Sequence, residues 1–323
     1  MSRFAIVLLN MGGASSEEEV PLFLSNMFCD RHILRIPFTP LRILIAKMIV
    51  LGRAAKSIAC YRQIGGSPLL RHTKKLAKKL HLKTRLPVFI AMRYTPPFSS
   101  EAIRQIEEIG AQRLIVIPLY PQYSTTTTLS SLEEFAAEIK SAGIEVESRA
   151  VTRFFDHPTY NVSVIERLKV ALGKRDPSAY ALIFSAHALP QSIVNRGDPY
   201  QEECEKHSEI LRKYLVCENL EFASYHLAYQ SKIGVMKWLT PSLDQTLASL
   251  AKEGVKRAVI VPISFAIDNL ETDYELSIDY AARARKLGYE ELLISSCPND
   301  SDRFVQTLSE LAGAYMRERG ESA

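Results

Sequence analysis

The chain has 323 residues, of which 47% are hydrophobic and 24% charged, and it carries a net charge of +4. That length exceeds what one core usually fills, so two domains are expected, and nothing in the composition suggests a disordered tail. The mild positive charge suits an anionic small molecule or an acidic lipid surface and is too weak to argue for nucleic acid.

Five cysteines (Cys29, Cys60, Cys204, Cys217 and Cys297) are odd in number, scattered and without a CxxC pair. This points to a reducing compartment and against a disulfide framework or a thiolate zinc knuckle. The opening stretch MSRFAIVLLNMGG has too short an apolar run for a signal peptide and reads as a first strand. No stretch approaches the ~20 apolar residues of a membrane-spanning helix. A cytoplasmic protein is expected.

In chain order, Ala5 to Leu9 is an apolar strand ending at Asn10-Met11-Gly12-Gly13, after which Ser15 or Ser16 caps a helix opening on Glu17, Glu18 and Glu19. Residues 37–60 are amphipathic and rich in Leu, Ile and Met, with Arg42, Lys47, Arg53 and Lys56 on the polar side. Tyr61 to Pro68 reads as a loop and Thr73 to Leu82 as a basic helix. Strands follow at 87–92, 113–119 and 145–151, with helices at 99–109 and 129–141 between them. The second half repeats the plan. Strands are predicted at 180–184 (running out to His187), 221–228, 257–263 and 291–295, and helices at 242–251 and 270–287. One segment aligns without gaps: Gly110, Arg113 and Pro118 fall on Gly254, Arg257 and Pro262, with an apolar run between each Arg and Pro.

Two halves rich in βαβ units predict an α/β protein of two similar Rossmann-like domains, each a parallel sheet flanked by helices, with a cleft between them. The domains are expected at 1–155 and 156–323, with a C-terminal helix packing back on the first. The loops at the strand ends would line the cleft.

The stretch VPISFAIDNLETDYE, 261–275, runs from a strand into a helix that Asp268 or Asn269 can cap. Glu271 and Glu275 stand four residues apart and project from one helical face. Acids in a first helical turn often only complement the macrodipole, yet the carboxyl ends of strands are where open α/β sheets place their chemistry. His187 also ends a buried strand. A lone histidine is more often structural. Beside Glu271 it makes a carboxylate–imidazole pair suited to a divalent first-row metal or to proton transfer. Asn10 to Gly13 lacks the GxGxxG fingerprint, and no P-loop lysine pattern exists. The apolar stripe Phe38 to Leu51 is either core or an interfacial lip resting on lipid.

The stretches VLLNMGG, FLSNMF, YRQIGGSP, AMRYTPP, YPQYSTTTT, SAHALP, YQSKIGVMKWL and DNLETDYE together resemble the ferrochelatase family, of the protoporphyrin-using bacterial type. The resemblance spans the chain. It implies two Rossmann-like domains, insertion of ferrous iron into protoporphyrin IX with release of two protons in haem synthesis, and no organic cofactor. It also implies that His187 and Glu271 form the metal site, with Glu275 on a proton path. Met11, Arg93, Tyr94, Tyr120 and Trp238 would line the porphyrin site, and Arg53 and Ser124 fall near propionate-contacting positions.

Two departures stand out: Asn269 where many relatives have histidine, and Asp273 where they have leucine. The cysteine cluster that ends the animal form is not found before Ala323, so no iron–sulfur cluster is expected. The rival readings are a chelatase for coproporphyrin or another tetrapyrrole, and a non-catalytic two-domain binding protein. Expected partners are protoporphyrin IX and ferrous iron, with no nucleic acid and with peripheral membrane contact through 38–51. No interface announces itself, so monomer is the default.

Overall fold

A computed structural model of the chain describes residues 4–232 and 236–318. Of these described residues, those up to Arg153 together with those from Val305 onward form one compact unit, and those between them form the other.

The first unit contains β1 (Phe4–Asn10), α1 (Val20–Cys29), α2 (Thr39–Ile64), α3 (Leu69–Thr84), β2 (Val88–Met92), α4 (Ser99–Glu108), β3 (Arg113–Pro118), α5 (Ser130–Ala142) and β4 (Glu147–Ala150). Its sheet is parallel, in the order β2-β1-β3-β4. Every residue of β1 is buried, which is why the strand reads as an unbroken apolar run rather than an alternating one. Leu9 pairs with Pro118 at the top of the sheet. Ala5, Val7, Leu9, Leu114 and Val116 pack with Ile103, Ile106 and Phe135 of the flanking helices. Tyr315 packs edge-on against Phe4, with ring centres 6.3 Å apart.

The second unit contains α6 (Pro158–Leu172), β5 (Ala181–His187), α7 (Gln191–Val194), α8 (Tyr200–Cys217), β6 (Ser224–Gln230), α9 (Leu243–Lys252), β7 (Arg257–Pro262), α10 (Ala281–Lys286), β8 (Glu291–Ile294) and the start of α11 (Asp302–Glu318). Its parallel sheet repeats the first in the order β6-β5-β7-β8. The matched prolines hold corresponding places, since Ser185 pairs with Pro262 as Leu9 does with Pro118. Gly110 and Gly254 both adopt positive φ ahead of their third strand. Each third strand then leads into a wider, π-type helical segment, Thr125–Leu129 in one unit and Glu271–Tyr280 in the other.

Some local expectations change. The predicted loop 61–68 begins as helix, because α2 runs on to Ile64 and ends only where Gly65 takes the left-handed conformation. The serine cap expected before the Glu17–Glu19 turn is absent. The Ser16 side chain makes no capping bond, and the Glu19 carboxylate accepts from the Ser15 N–H at 2.8 Å instead. Helices α6 and α8 were not foreseen. In α2 only Ala46 and Tyr61 are fully buried, while Phe38, Leu44, Met48 and Leu51 are 65%, 57%, 64% and 83% exposed. No described helix is long and apolar enough to cross a membrane.

Candidate active site

In a sheet of this order the strand order reverses between the first and third strands, and open α/β sheets bind ligands outside the carboxyl ends of the strands at such a point. In the second unit these strands are β5 and β7. His187 is the last residue of β5, paired with Gln230 at the end of β6. Burial pushes its imidazole pKa down to about 4, because a charged ring would lose its hydration there. His187 is therefore neutral at pH 7. Its Nδ1 is buried without a hydrogen-bond partner among the described residues, leaving one ring lone pair or N–H uncommitted. The Phe265 ring stands edge-on to it at 6.1 Å.

β7 gives way at Pro262 to a loop that ends in the cap of the π-type segment. Of the two candidate caps, Asn269 serves. Its Oδ1 accepts from the N–H of Glu271 at 2.8 Å and of Thr272 at 3.3 Å. Asp268 turns elsewhere, accepting from Cys297 N–H at 2.8 Å and from Asn299 Nδ2 at 2.5 Å. The residue standing where a histidine was expected is thus engaged in starting the helical segment. Leu276 and Tyr280 anchor that segment in the core.

Burial raises the pKa of Glu271. Glu275 rises to about 7, first through burial and further through the neighbouring Glu271 charge, against the opposing hydrogen bonds from Ser231. Ser231 donates its backbone N–H to Glu275 Oε1 at 2.9 Å and its hydroxyl to Oε2. It does so from a left-handed backbone conformation, φ +68°, which is sparsely populated for any residue but glycine. Ser231 carried no sequence signal beyond following a strand. Trp238 bridges to Pro190 in the same unit. The YQSKIGVMKWL stretch passes through 233–235, outside the described residues.

In the first unit Met11 holds the position that His187 holds in the second, two residues beyond the strand pair with the matched proline. It is half-buried, and its carbonyl accepts from Tyr94 N–H at 2.9 Å. The Met11 peptide depends on Gly12 next to it, which has φ +84°. A Cβ there would lie 2.3 Å from Thr95 Oγ1.

Tyr94 and Tyr120 are buried, 3% and 8% exposed. The Tyr94 hydroxyl donates to Asp30 Oδ2 at 2.8 Å, and that of Tyr120 shares a bond with Ser131 Oγ at 3.1 Å. Arg93 is paired inside its own unit. Its guanidinium sits 3.2 Å from Asp30 Oδ2, donates to Ser130 Oγ at 3.2 Å and stacks over the Tyr94 ring. The Asp30 side chain is fully buried. Burial alone would raise its pKa, yet bonds from Ser130 and the His32 N–H, the Arg93 charge and the Tyr94 hydroxyl hold it below the ordinary value. Asp30 is a central residue of this network that the sequence reading missed, for no periodicity or spacing marks it. Arg53 lies over the Phe28 ring at 5.7 Å. Ser124 is buried and caps the π-type turn after β3, accepting from Thr126 N–H at 3.1 Å.

Among the described residues no group of three or more His, Cys, Asp or Glu side chains has the geometry to hold a metal ion.

Known proteins agree with this architecture. Solved structures of similar fold include SirB from Bacillus subtilis with Fe3+, at a TM-score of 0.57 and 12% identity, covering 99% of each chain. Another is CbiX, described as the terminal enzyme for biosynthesis of sirohaem in denitrifying bacteria, at a TM-score of 0.52 and 12% identity over 96% of this chain and 98% of that one. Sequence likeness is closer. The ferrochelatase of Sulfurimonas denitrificans is 45% identical over 314 residues, 96% of this chain and 98% of its own. That of a Nitratiruptor species is 46% identical over 311 residues, 95% and 98% of the respective chains. The sequence model of the ferrochelatase family matches residues 3–315, and the chain belongs to that family.

Proposed function

We propose that the chain is the lyase that inserts ferrous iron into protoporphyrin IX, releasing two protons, in haem biosynthesis. The observation that carries this reading is that one unit buries both a neutral imidazole at the end of β5 and, in the helical segment after β7, an acid that titrates near neutrality. Family membership supports it.

Metallating a free-base porphyrin requires that two pyrrole protons leave and that iron shed its water. A rigid site can bind a distorted macrocycle better than a flat one, which is differential binding of the reacting state. His187, neutral with an uncommitted Nδ1, can accept a pyrrole proton or ligate arriving iron, with Glu271 as its partner. Glu275 can take a proton onward, since its carboxylate and carboxylic acid forms are both populated near pH 7. Met11, Tyr94, Tyr120 and Trp238 are proposed to line the porphyrin site, and Arg53, Arg93 and Ser124 to position its propionates. Asp30 already engages Arg93, so that arginine would offer an oriented donor more than an unpaired charge. The chain is read as using no organic cofactor and no iron–sulfur cluster.

The deciding assay follows the porphyrin absorbance change as zinc or ferrous iron is inserted, with protoporphyrin and coproporphyrin compared side by side. Higher kcat/KM with protoporphyrin is expected. Preference for coproporphyrin would reassign the substrate, and no insertion into either would leave a binding protein. His187→Ala at wild-type rate would remove the histidine from the mechanism.

The exposed apolar side of α2, with Lys47 and Lys56 also exposed, supports peripheral contact with an anionic lipid surface. Co-sedimentation with anionic liposomes is expected to fall in Leu44→Asp/Met48→Asp. Unchanged binding would reject the contact.

A further inference from the structure

In the second unit β5 is hydrogen-bonded to β6 as far as His187↔Gln230, but its pairing with β7 stops at Ser185↔Pro262. One more backbone bond follows, from Ile263 N–H to the Ser185 carbonyl at 2.9 Å. The next rung is made by side chains. The His187 N–H donates to Ser264 Oγ at 2.9 Å, where a continuing strand would have offered a carbonyl. The His187 carbonyl accepts from the Tyr200 hydroxyl at 2.9 Å.

Donor and acceptor of one residue's backbone are thus each held by a side-chain hydroxyl, both on buried residues. Tyr200 opens α8, and its own N–H is fixed by Asp198 Oδ1 at 3.1 Å. Three separate elements meet on the His187 backbone, while the His187 ring has no partner at Nδ1 among the described residues. Because Ser264 supplies the rung from its side chain, the main chain after Pro262 can leave the sheet and travel to the Asn269 cap and Glu271. The same substitution therefore holds the imidazole-bearing residue and frees the loop that carries the acid.

We propose that Tyr200 and Ser264 are positioning residues for metal insertion, clamping the His187 backbone so that its imidazole stands in one place. The inference rests on the reading of His187 as the metal- or proton-handling residue. Small displacements of a reacting group lower rates by up to about a hundredfold, so the clamp should show in kcat rather than in porphyrin binding.

The test uses the full chain and zinc insertion into protoporphyrin, with Tyr200→Phe, Ser264→Ala, Ser264→Thr and His187→Ala, together with the His187 imidazole nitrogen resonances at one fixed pH. Tyr200→Phe and Ser264→Ala are expected to lower kcat by about tenfold to a hundredfold with porphyrin KM within about twofold of wild type. Both should displace the His187 resonances, and Ser264→Thr should restore rate and resonances. Added to His187→Ala, Tyr200→Phe should lower the rate no further. Wild-type kcat in both hydroxyl deletions, or an equal loss in the His187→Ala background, would overturn the proposal. If His187→Ala proves fully active, the reading of His187 fails by itself. The resonances then judge the clamp alone, and unmoved resonances overturn it. Should Tyr200→Phe not fold, the Ser264→Ala and Ser264→Thr pair decides.

Discussion

Burial moves His187 and Glu275 in opposite directions on the pH scale and leaves both in the form that proton transfer wants at neutrality. The histidine drops to about 4 and stays neutral, while the glutamate climbs to about 7 and exchanges a proton readily. As an acceptor, Glu275 works only as carboxylate, so insertion should accelerate as pH rises through about 7. Glu275→Gln is expected to remove that limb and to lower kcat by about a hundredfold, the usual worth of a positioned proton carrier. A pH–rate profile of zinc insertion checks both, and a limb that survives the substitution would assign it to another group. Because the folded-state pKa is raised, the Glu275 contribution to stability is present below the ordinary value of 4.5 and lost as pH rises through 7. The variant's melting temperature relative to wild type should therefore improve from pH 5 to pH 8.

Asp30 matters at the same scale. With its carboxylate removed, the Arg93 guanidinium, the Ser130 hydroxyl and the Tyr94 phenol all lose their shared acceptor. Asp30→Asn is expected to destabilise the protein by about 3 kcal/mol, as for a broken buried ion pair. It should also raise porphyrin KM more than it lowers kcat. Denaturant unfolding and steady-state kinetics read the two effects separately.

Among the elements, the strand-to-helix joints hold most of the residues proposed for the chemistry, and they were the most legible part of the sequence. Val261 to Glu275 announced a strand, a polar elbow and a capped helix with two acids because each step uses a local rule. Which residue caps was open, and it is settled by competition: Asp268 is drawn to the Cys297 and Asn299 turn, leaving Asn269 to the helix. Asn269→Ala should then lower stability by about 1 kcal/mol, the usual value of a lost cap, and thermal melting checks it. At the joint after β1, Gly12→Ala would force a Cβ against Thr95 from a left-handed backbone. A loss of at least about 2 kcal/mol is expected there.

Helices α6 and α8 escaped detection for a physical reason. Their buried faces include Asn161, Ser163, Glu203 and His207, which break the apolar period. They are stable inside because partners exist, such as Asn161 Nδ2 donating to the carbonyls of Phe155 and His157, each at 3.0 Å. Those partners appear only in three dimensions. The same holds for Ser264 with His187, 77 residues apart in sequence, and for Asp30 with Ser130, 100 apart.

Across the whole molecule one plan is used twice and loaded differently. Both sheets share their strand order, their matched proline register and a π-type segment after the third strand. Yet the position two residues beyond the proline-paired rung carries Met11 in one unit and His187 in the other. The second unit also buries a further histidine, His207, which is fully inaccessible and held at Nε2 by Asn161 Oδ1 at 3.1 Å. Burial lowers its pKa to about 3, outweighing a backbone bond at Ile263 that works the other way. Its unfolded value is 6.5, so between these values the unfolded chain binds a proton that the native protein refuses. A depressed pKa of this kind contributes stability that is present above 6.5 and lost as pH falls through about 3. His207→Asn should be less stable than wild type at pH 7, having lost a packed ring. The gap should then close by about 1.4 kcal/mol for each pH unit below 6.5, since only the wild type feels this term. Comparing the two chemical unfolding midpoints from pH 7 to pH 4 isolates it, because the acids near Glu275 titrate in both proteins and cancel. A gap that stays constant over that range would mean that His207 is protonated in the native state, and that its pairing with Asn161 does not keep the ring neutral.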